Sequence, residues 1–293
     1  MANQRDIKNR ISSIKNTKKI TSTMEMVSTA KMKKVQTRLE RSKPYEGKVN
    51  EIIANLKSTG ITTTDQPLLR EPADTTRVLV LQITGNRGLC GSFNANIIEN
   101  TLLFKNDLVA DGKEVLIYNV GKKGASFMKF MKEPVFRAMN NPDDSFTFDD
   151  AAQLGVELQE MFLTGEVQEV YISYMKVLTS SSQKPEIIRL MPISADEDIT
   201  EDHALDINTE YIFDPDPARI FSYILPLYLK VKIFTCFLET SFSEQFARRV
   251  AMKNATDAST DMIKDLTITY NRARQAKITN EIAEIVGGAS ALE

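Results

Sequence analysis

The chain lacks most of the residues from which common active sites are built. Its 293 residues include one histidine, two cysteines and no tryptophan. A single histidine, His203, excludes most hydrolase triads and most zinc sites, which need pre-oriented imidazoles. Cys90 and Cys236 are far apart and lack metal-type spacing, which fits a reducing compartment without disulfides. We therefore predict no catalytic, cofactor-binding or metal-binding residue in this chain.

Long uncharged runs are also missing. The nearest candidate, residues 220–229, is shorter than the roughly 18 residues that a membrane helix requires, and it contains Pro226. The first residues begin a polar helical pattern, without the apolar core of a secretory signal or the acid-free pattern of an organelle presequence. We expect a soluble or peripheral protein that carries no export signal.

Glycine and proline are scarce at both ends of the chain. Residues 4–56 contain only Pro44 and Gly47, and residues 227–286 contain neither. Each end therefore predicts a long helix, and a helix of about 50 residues spans roughly 75 Å. We expect the two helices to pair as an antiparallel coiled coil.

Apolar residues at spacings of three and four predict where these helices meet, with a stutter near residues 17–21. On the first helix the predicted seam residues are Ile7, Ile11, Ile14, Met24, Val27, Met32, Val35 and Leu39. On the last helix they are Ile263, Leu266, Tyr270, Ala273, Ile278, Ile282 and Ile285.

The near-neutral net charge of −2 conceals an uneven distribution. Residues 1–48 contain 13 Lys and Arg against four Asp and Glu, whereas residues 244–293 contain seven of each. The basic first helix has three interpretations: a solvated face, a surface for an acidic partner, or a nucleic-acid contact through Lys15, Lys18, Lys19, Lys31, Lys33 and Lys34. No aromatic residues are interleaved with these lysines for base stacking, which weakens the nucleic-acid interpretation.

The middle of the chain alternates strand and helix patterns. Strands are predicted at 77–84, 114–120, 169–178 and 186–193, and helices at 94–109, 122–131 and 148–163. This order predicts a Rossmann-like α/β domain with a mostly parallel sheet, in which the last two strands form a hairpin through 179–185. The predicted organisation is a helix at 1–60, the inserted domain at 75–195, a linker at 196–217 and a helix at 218–293.

Two segments of this region resemble ligand sites. The glycines Gly85, Gly88 and Gly91, with Arg87 between them, form a turn from the first strand into a helix, where backbone N–H groups can hold a phosphate. The spacing is not that of a dinucleotide fingerprint, so a structural tight turn is favoured. The linker carries an acidic cluster without calcium-loop spacing, so a solvated segment is favoured there. The cluster consists of Asp196, Glu197, Asp198, Glu201 and Asp202.

The C-terminal residues 278–291 are apolar or small at most positions, with Glu281 and Glu284 as their only charges. A chain end with this composition is typical of a segment enclosed by a partner.

Three stretches resemble the ATP synthase gamma subunit of bacterial type. They are residues 14–32 of the first helix, RGLCG at 87–91, and residues 243–289 of the last helix, which contain YNRARQA at 270–276. The resemblance implies a central rotor whose helix pair penetrates a hexamer of alpha and beta subunits. It also implies that the inserted domain binds the epsilon subunit and the membrane ring of c subunits. Such a rotor couples c-ring rotation to conformational change at the beta subunits and has no active site or cofactor of its own.

The resemblance also assigns residues and a location. Met24 matches a methionine that lies against a beta-subunit lever, and Arg274, Gln275 and Thr279 match polar residues that meet the beta catch loops. Tyr211 matches a position close to the c ring. The implied location is peripheral, at the cytoplasmic face of the inner membrane, and no nucleic acid is among the implied partners.

Two positions depart from the family pattern. Asn86 stands where an aspartate usually precedes RGLCG, and Phe246 stands where the side chain is usually small. The inserted domain has no paired cysteines, so the resemblance implies no thiol regulation of the plant type.

Overall fold

The structure is a computed structural model that describes residues 4–58, 66–72, 74–193 and 217–290. The chain divides into two compact units. Unit 1 contains the residues up to Thr29 and those from Arg248 onwards, and unit 2 extends from Ala30 to Ala247. The domain boundaries predicted above remain predictions.

The two terminal helices are α1, Gln4–Ser58, and α5, Pro217–Ser290. In unit 2, Val35 and Leu39 of α1 pack in one cluster with Leu238 and Phe242 of α5. Further along α1, the carboxylate of Glu46 accepts a hydrogen bond from the Thr235 hydroxyl at 3.3 Å, so later α1 residues meet earlier α5 residues. The helices are therefore antiparallel, as predicted.

The packed face of α1 in unit 1 differs from the predicted seam. Buried or half-buried positions repeat without interruption at spacings of four and three, so the predicted stutter is wrong. Val27, predicted to lie in the seam, is 51% exposed, whereas Ser28 is 2% exposed. Helix geometry continues the face through polar residues, which an apolar pattern cannot reveal. The seam positions in this part of α1 are Ile7, Ile11, Ile14, Lys18, Thr21, Glu25 and Ser28.

The seam on α5 ends earlier than predicted. Ile263, Leu266, Tyr270 and Ala273 are half-buried, as expected of seam residues. Ile278, Ile282 and Ile285 repeat at the same spacings but are exposed, so their assignment to the seam is wrong. Because of their regular spacing, these three residues form an apolar face that is exposed on α5.

Unit 2 contains a five-stranded sheet in the order β3-β2-β1-β4-β5. β1 to β4 are mutually parallel, and β5 is antiparallel to β4. The short β3 was not predicted, because three residues carry too little pattern. The hairpin turn is also tighter than predicted: Pro185 lies within β5, an edge strand that tolerates proline. The strands are β1 Arg77–Ile83, β2 Glu114–Val120, β3 Arg137–Met139, β4 Glu169–Thr179 and β5 Ser182–Met191.

Helices cover both faces of this sheet. Val78 and Val80 of β1 pack towards α2, Phe93–Ala110, and the next helix, α3, Lys122–Met131, covers the same face. Leu79 and Leu81 face the opposite way, into the main core formed with α4, Phe148–Leu163, and α5. Because alternate β1 residues are buried on both faces, residues 78–81 form a continuous apolar run, as is usual for parallel sheets. The Rossmann-like α/β prediction is confirmed.

One helix in the described part of the chain is long and apolar enough to cross a bilayer by length and composition. It is α5, in which half of the qualifying 18-residue window is buried within the protein. Charged residues such as Lys230 and Lys232 interrupt this part of α5, so the expectation that the chain lacks an uncharged run of about 18 residues stands. The large apolar residues near the start of α5, such as Phe221, Leu225 and Phe237, belong to the main core. The apolar composition of this part of α5 is thus that of a core helix.

Candidate partner interface on the helical pair

The outer face of α1 in unit 1 carries exposed apolar residues. Ile20, Met24 and Val27 follow one another at spacings of four and three, and we call them the α1 stripe. Ile20 and Val27 are exposed and Met24 is half-buried at the edge of the seam. The predicted contact residue Met24 therefore belongs to a larger apolar surface. Sequence reasoning missed Ile20 and misassigned Val27, because the phase of the seam decides which apolar residues face outwards.

The predicted contact residues near the end of α5 are all exposed. Every residue from Arg274 to Val286 is exposed. Thr279 donates its hydroxyl hydrogen bond to the Gln275 carbonyl at 2.9 Å, whereas Arg274 has no partner among the described residues. Beside them lies an apolar face, which we call the α5 end stripe: Ile278, Ile282, Ile285 and Val286.

These two surfaces lie at different levels of unit 1. The hydroxyl oxygens of Thr21 and Thr256 are 2.8 Å apart, which fixes the level of the α1 stripe on α5. Arg274 follows Thr256 by 18 residues, which corresponds to about 27 Å along a helix. The structure therefore brings Arg274, Gln275 and Thr279 together but places Met24 apart from them.

The glycine turn after β1 is closed by its own neighbours. The Gly85 N–H donates to the Asn94 side-chain oxygen at 2.9 Å, and the Phe93 N–H donates to the Cys90 carbonyl at 3.3 Å. A β-carbon on Gly85 would lie 2.8 Å from the Glu244 carboxylate, and Gly91 has a φ of +58°. Both positions therefore favour glycine for structural reasons. The N–H groups of Gly85 and Phe93 are therefore already bonded within the protein and are not available to a phosphate. This supports the interpretation of the segment as a structural tight turn.

The remaining turn residues are Arg87, which is exposed, and Gly88. A β-carbon on Gly88 would lie 3.6 Å from the Lys123 side chain, an ordinary contact. The backbone carbonyl of Arg87 accepts a hydrogen bond from the Asn94 amide at 3.4 Å. Gly88 is therefore less constrained than Gly85 and Gly91.

Asn86 links this turn to the loop that follows β3. Its side-chain amide donates to the Asn141 carbonyl at 2.6 Å and to the Asp143 carboxylate at 3.0 Å. Its side-chain oxygen accepts from the N–H groups of Lys122 and Asn141 at 3.3 and 3.2 Å. The amide thus uses both its donor and its acceptor groups. An aspartate at this position cannot donate a hydrogen bond to Asp143. Asparagine, rather than the aspartate usual in the family, therefore suits the groups that surround position 86.

One carboxyl group of unit 2, that of Glu239, has a strongly raised pKa. The net pKa of Glu239 is raised from 4.5 to about 7: burial raises it most, the hydrogen bond from the Val177 N–H lowers it, and the Glu46 carboxylate raises it. Burial also raises the pKa of the nearby Tyr174 hydroxyl. Sequence reasoning missed Glu239, because nothing in its local pattern reveals that it is desolvated.

Several predicted features lie outside the described residues: Tyr211, His203 and the acidic cluster from Asp196 to Asp202. Within the described residues, no group of three or more His, Cys, Asp or Glu side chains is placed to hold a metal ion.

A pair of long helices with exposed apolar stripes, joined to an α/β sheet, is typical of a subunit of a larger assembly. Residues 3–292 match the family model described as ATP synthase. The chain is 41% identical to the ATP synthase gamma chain of Leptospira biflexa and 39% identical to that of Maridesulfovibrio salexigens, with both chains covered in full in each case. The chain belongs to the ATP synthase gamma chain family, and it is a non-catalytic subunit.

Solved structures show the same fold. A chain of the Tetrahymena thermophila mitochondrial ATP synthase central stalk and c ring is 24% identical with a TM-score of 0.60, and the match covers 80% of this chain and 99% of that one. A chain of the Euglena gracilis mitochondrial ATP synthase is 21% identical with a TM-score of 0.65, covering 99% and 94%. These likenesses confirm the fold class.

Proposed function

We propose that this chain is the central-stalk rotor of a proton-translocating ATP synthase. It couples rotation of the membrane c ring to conformational change at the catalytic beta subunits. The observation that supports this most directly is the exposed end of α5, where the α5 end stripe adjoins Arg274, Gln275 and Thr279. An apolar helix end of this kind requires an enclosing partner, and the hexamer of alpha and beta subunits supplies one.

A rotor must transmit torque without bending. α1 and α5 contain 55 and 74 residues without a break. The main core anchors the first part of α5 against the sheet through residues such as Leu225, Leu229 and Phe237. Continuous helices packed along a seam resist bending, because bending would separate many side-chain contacts at once. The helices can therefore act as a stiff shaft.

The contacts with the beta subunits must break and re-form at every step. We assign Met24 and its stripe to the beta lever, and Arg274, Gln275 and Thr279 to the beta catch loops. Arg274 is exposed, and exposed ion pairs contribute only about 0–1 kcal/mol each. Contacts of this strength hold an angular position without locking the shaft.

The remaining partners follow from the same assignment. We propose that unit 2 binds the epsilon subunit and the c ring, with Tyr211 close to the ring. The chain then lies peripherally at the cytoplasmic face of the inner membrane, where the ring is embedded.

The test is to co-express the chain with its alpha and beta subunits and to follow ATP-driven rotation of a probe fixed to the α/β sheet. We expect a rotating, ATP-hydrolysing complex. Ile282→Asp introduces a charge into the α5 end stripe and should impair assembly or rotation, whereas Val109→Asp, on an exposed α2 position, should not. Failure of the wild-type chain to enter the hexamer would overturn the proposal.

A second comparison tests the catch-loop assignment. Arg274→Ala should slow rotation under load by up to about fivefold, the equivalent of one exposed ion pair. Arg272→Ala removes an exposed arginine from another side of the same helix and serves as the control. Equal effects of the two variants would show that Arg274 has no specific role.

A further inference from the structure

Unit 2 contains an open cavity of about 430 Å³ that is lined by none of the residues assigned above to partner contacts. It lies between α1, the start of α4 and the first part of α5. Pockets that hold small molecules usually measure about 300–1,000 Å³. The cavity is therefore large enough for a small organic ligand.

The α1 side of the cavity is polar. Arg38, Arg41, Ser42 and Tyr45 line it. Arg38 is already engaged: it donates a hydrogen bond to the Phe146 carbonyl, and its guanidinium lies 5.7 Å from the centre of the Phe234 ring. Arg41 is exposed and has no hydrogen-bond or ion-pair partner among the described residues. The cavity thus presents one cation that is available to a ligand.

The opposite side of the cavity is apolar and held in place. Phe148, Val231 and Phe234 line it. The Phe148 and Phe234 rings meet edge to face with centroids 5.8 Å apart, and Phe234 lies 6.2 Å from Phe146. These contacts fix the rings before any ligand arrives, which reduces the ordering cost of binding.

The first turn of α4 carries two acidic residues, Asp149 and Asp150, and neither of them lines the cavity. Phe148 is the first residue of α4, and Thr147 is the N-cap of that helix, in a capping box with Asp150. The Asp150 carboxylate accepts hydrogen bonds from the Thr147 N–H and hydroxyl, each at 2.7 Å. The backbone hydrogen bond from Thr147 lowers the Asp150 pKa, so this carboxylate stays ionised and bound to its cap.

We propose that this cavity binds a small organic monoanion, an aryl or alkyl carboxylate. Its carboxylate pairs with Arg41, and its apolar part packs on Phe148 and Phe234. A single negative charge matches the single available guanidinium, whose fork geometry suits a carboxylate. The aromatic side of the cavity requires an apolar body, which excludes simple inorganic anions as good ligands.

The test is a titration of the full chain with 4-phenylbutyrate, followed by ligand-observed NMR, with 4-phenylbutanol as the uncharged analogue. We expect saturable binding of the carboxylate and binding of the alcohol that is about tenfold weaker. Arg41→Gln should reduce carboxylate affinity to that of the alcohol, and Arg41→Lys should recover part of it. Arg10→Gln, an exposed arginine elsewhere on α1, should leave the affinity unchanged.

A second variant tests the cavity itself. Ser42→Phe places a ring in the cavity and should abolish binding, whereas Ser12→Phe, at an exposed α1 position, should not. Circular dichroism verifies that each variant is folded. The proposal is overturned if the wild-type chain does not bind the carboxylate, if Arg41→Gln binds like wild type, or if folded Ser42→Phe retains binding.

Discussion

The side-chain amide of Asn86 donates a hydrogen bond to the carboxylate of Asp143 across 3.0 Å. This bond joins the turn after β1 to the loop after β3. It depends on an amide at position 86, because two ionised carboxylates at this distance would repel each other.

The first prediction is that Asn86→Asp destabilises the protein by about 1–3 kcal/mol at pH 7, through loss of two donated bonds and gain of repulsion. Urea denaturation measures the change. Asn140→Asp, at an exposed neighbouring position, is the control and should have little effect. An Asn86→Asp variant as stable as wild type would contradict this account of the bond.

The second prediction concerns Glu239, whose folded-state pKa is raised to about 7 from 4.5. Between these pH values the folded state binds more protons than the unfolded state, so stability falls as pH rises from about 4.5 to 7 and then levels off. Glu239→Gln should remove this fall and raise stability at pH 8 by up to about 3 kcal/mol. The measurement is urea denaturation across this pH range.

Glu99→Gln, at an exposed position of α2, is the matched control for Glu239→Gln. It should leave the pH dependence of the free energy of unfolding as it is in wild type. If Glu239→Gln has the same profile as wild type, the Glu239 carboxyl does not carry the pH dependence.

The third prediction tests whether Ser28, as in the structure, or Val27, as the apolar pattern predicts, lies in the buried seam of α1. Ser28→Asp buries a charge and should destabilise the protein by about 2 kcal/mol or more. Val27→Asp alters an exposed position and should change stability by less than about 0.5 kcal/mol. Thermal denaturation measures the stability of both variants. If Val27→Asp is the more destabilising of the two, the seam predicted from the apolar pattern is the correct one.

The fourth prediction concerns Gly121, the residue before α3. A β-carbon there would lie 2.1 Å from the Thr84 carbonyl oxygen, and the φ angle is +100°. Gly121→Ala should therefore destabilise the protein by more than about 3 kcal/mol. Gly112 also has a positive φ, +81°, but no atom lies within 4 Å of its β-carbon position. Gly112→Ala should cost only about 1 kcal/mol, and similar midpoints of urea denaturation for the two variants would refute the steric explanation.

Much of the fold could be predicted because the relevant signals are local. The scarcity of glycine and proline predicted both long helices, and alternating strand and helix patterns predicted four of the five strands. β3 was not predicted, because Arg137–Met139 is three residues long and becomes a strand only by pairing with β2.

The candidate interface could be predicted only in part. The exposed, apolar end of α5 follows from composition, and the resemblance supplied Met24, Arg274, Gln275 and Thr279. The outward position of Ile20 and Val27 could not be predicted, because it depends on a seam that continues through Thr21 and Ser28.

By itself, the sequence determined the long helices, the α/β sheet and the family, because periodicity, glycine placement and motifs act over short stretches of chain. Only the tertiary structure decided which face of α1 is buried, why Asn86 suits its turn, and that Glu239 is desolvated. Each of these depends on groups brought together from distant parts of the chain, and side-chain burial and electrostatics are properties of that assembled environment.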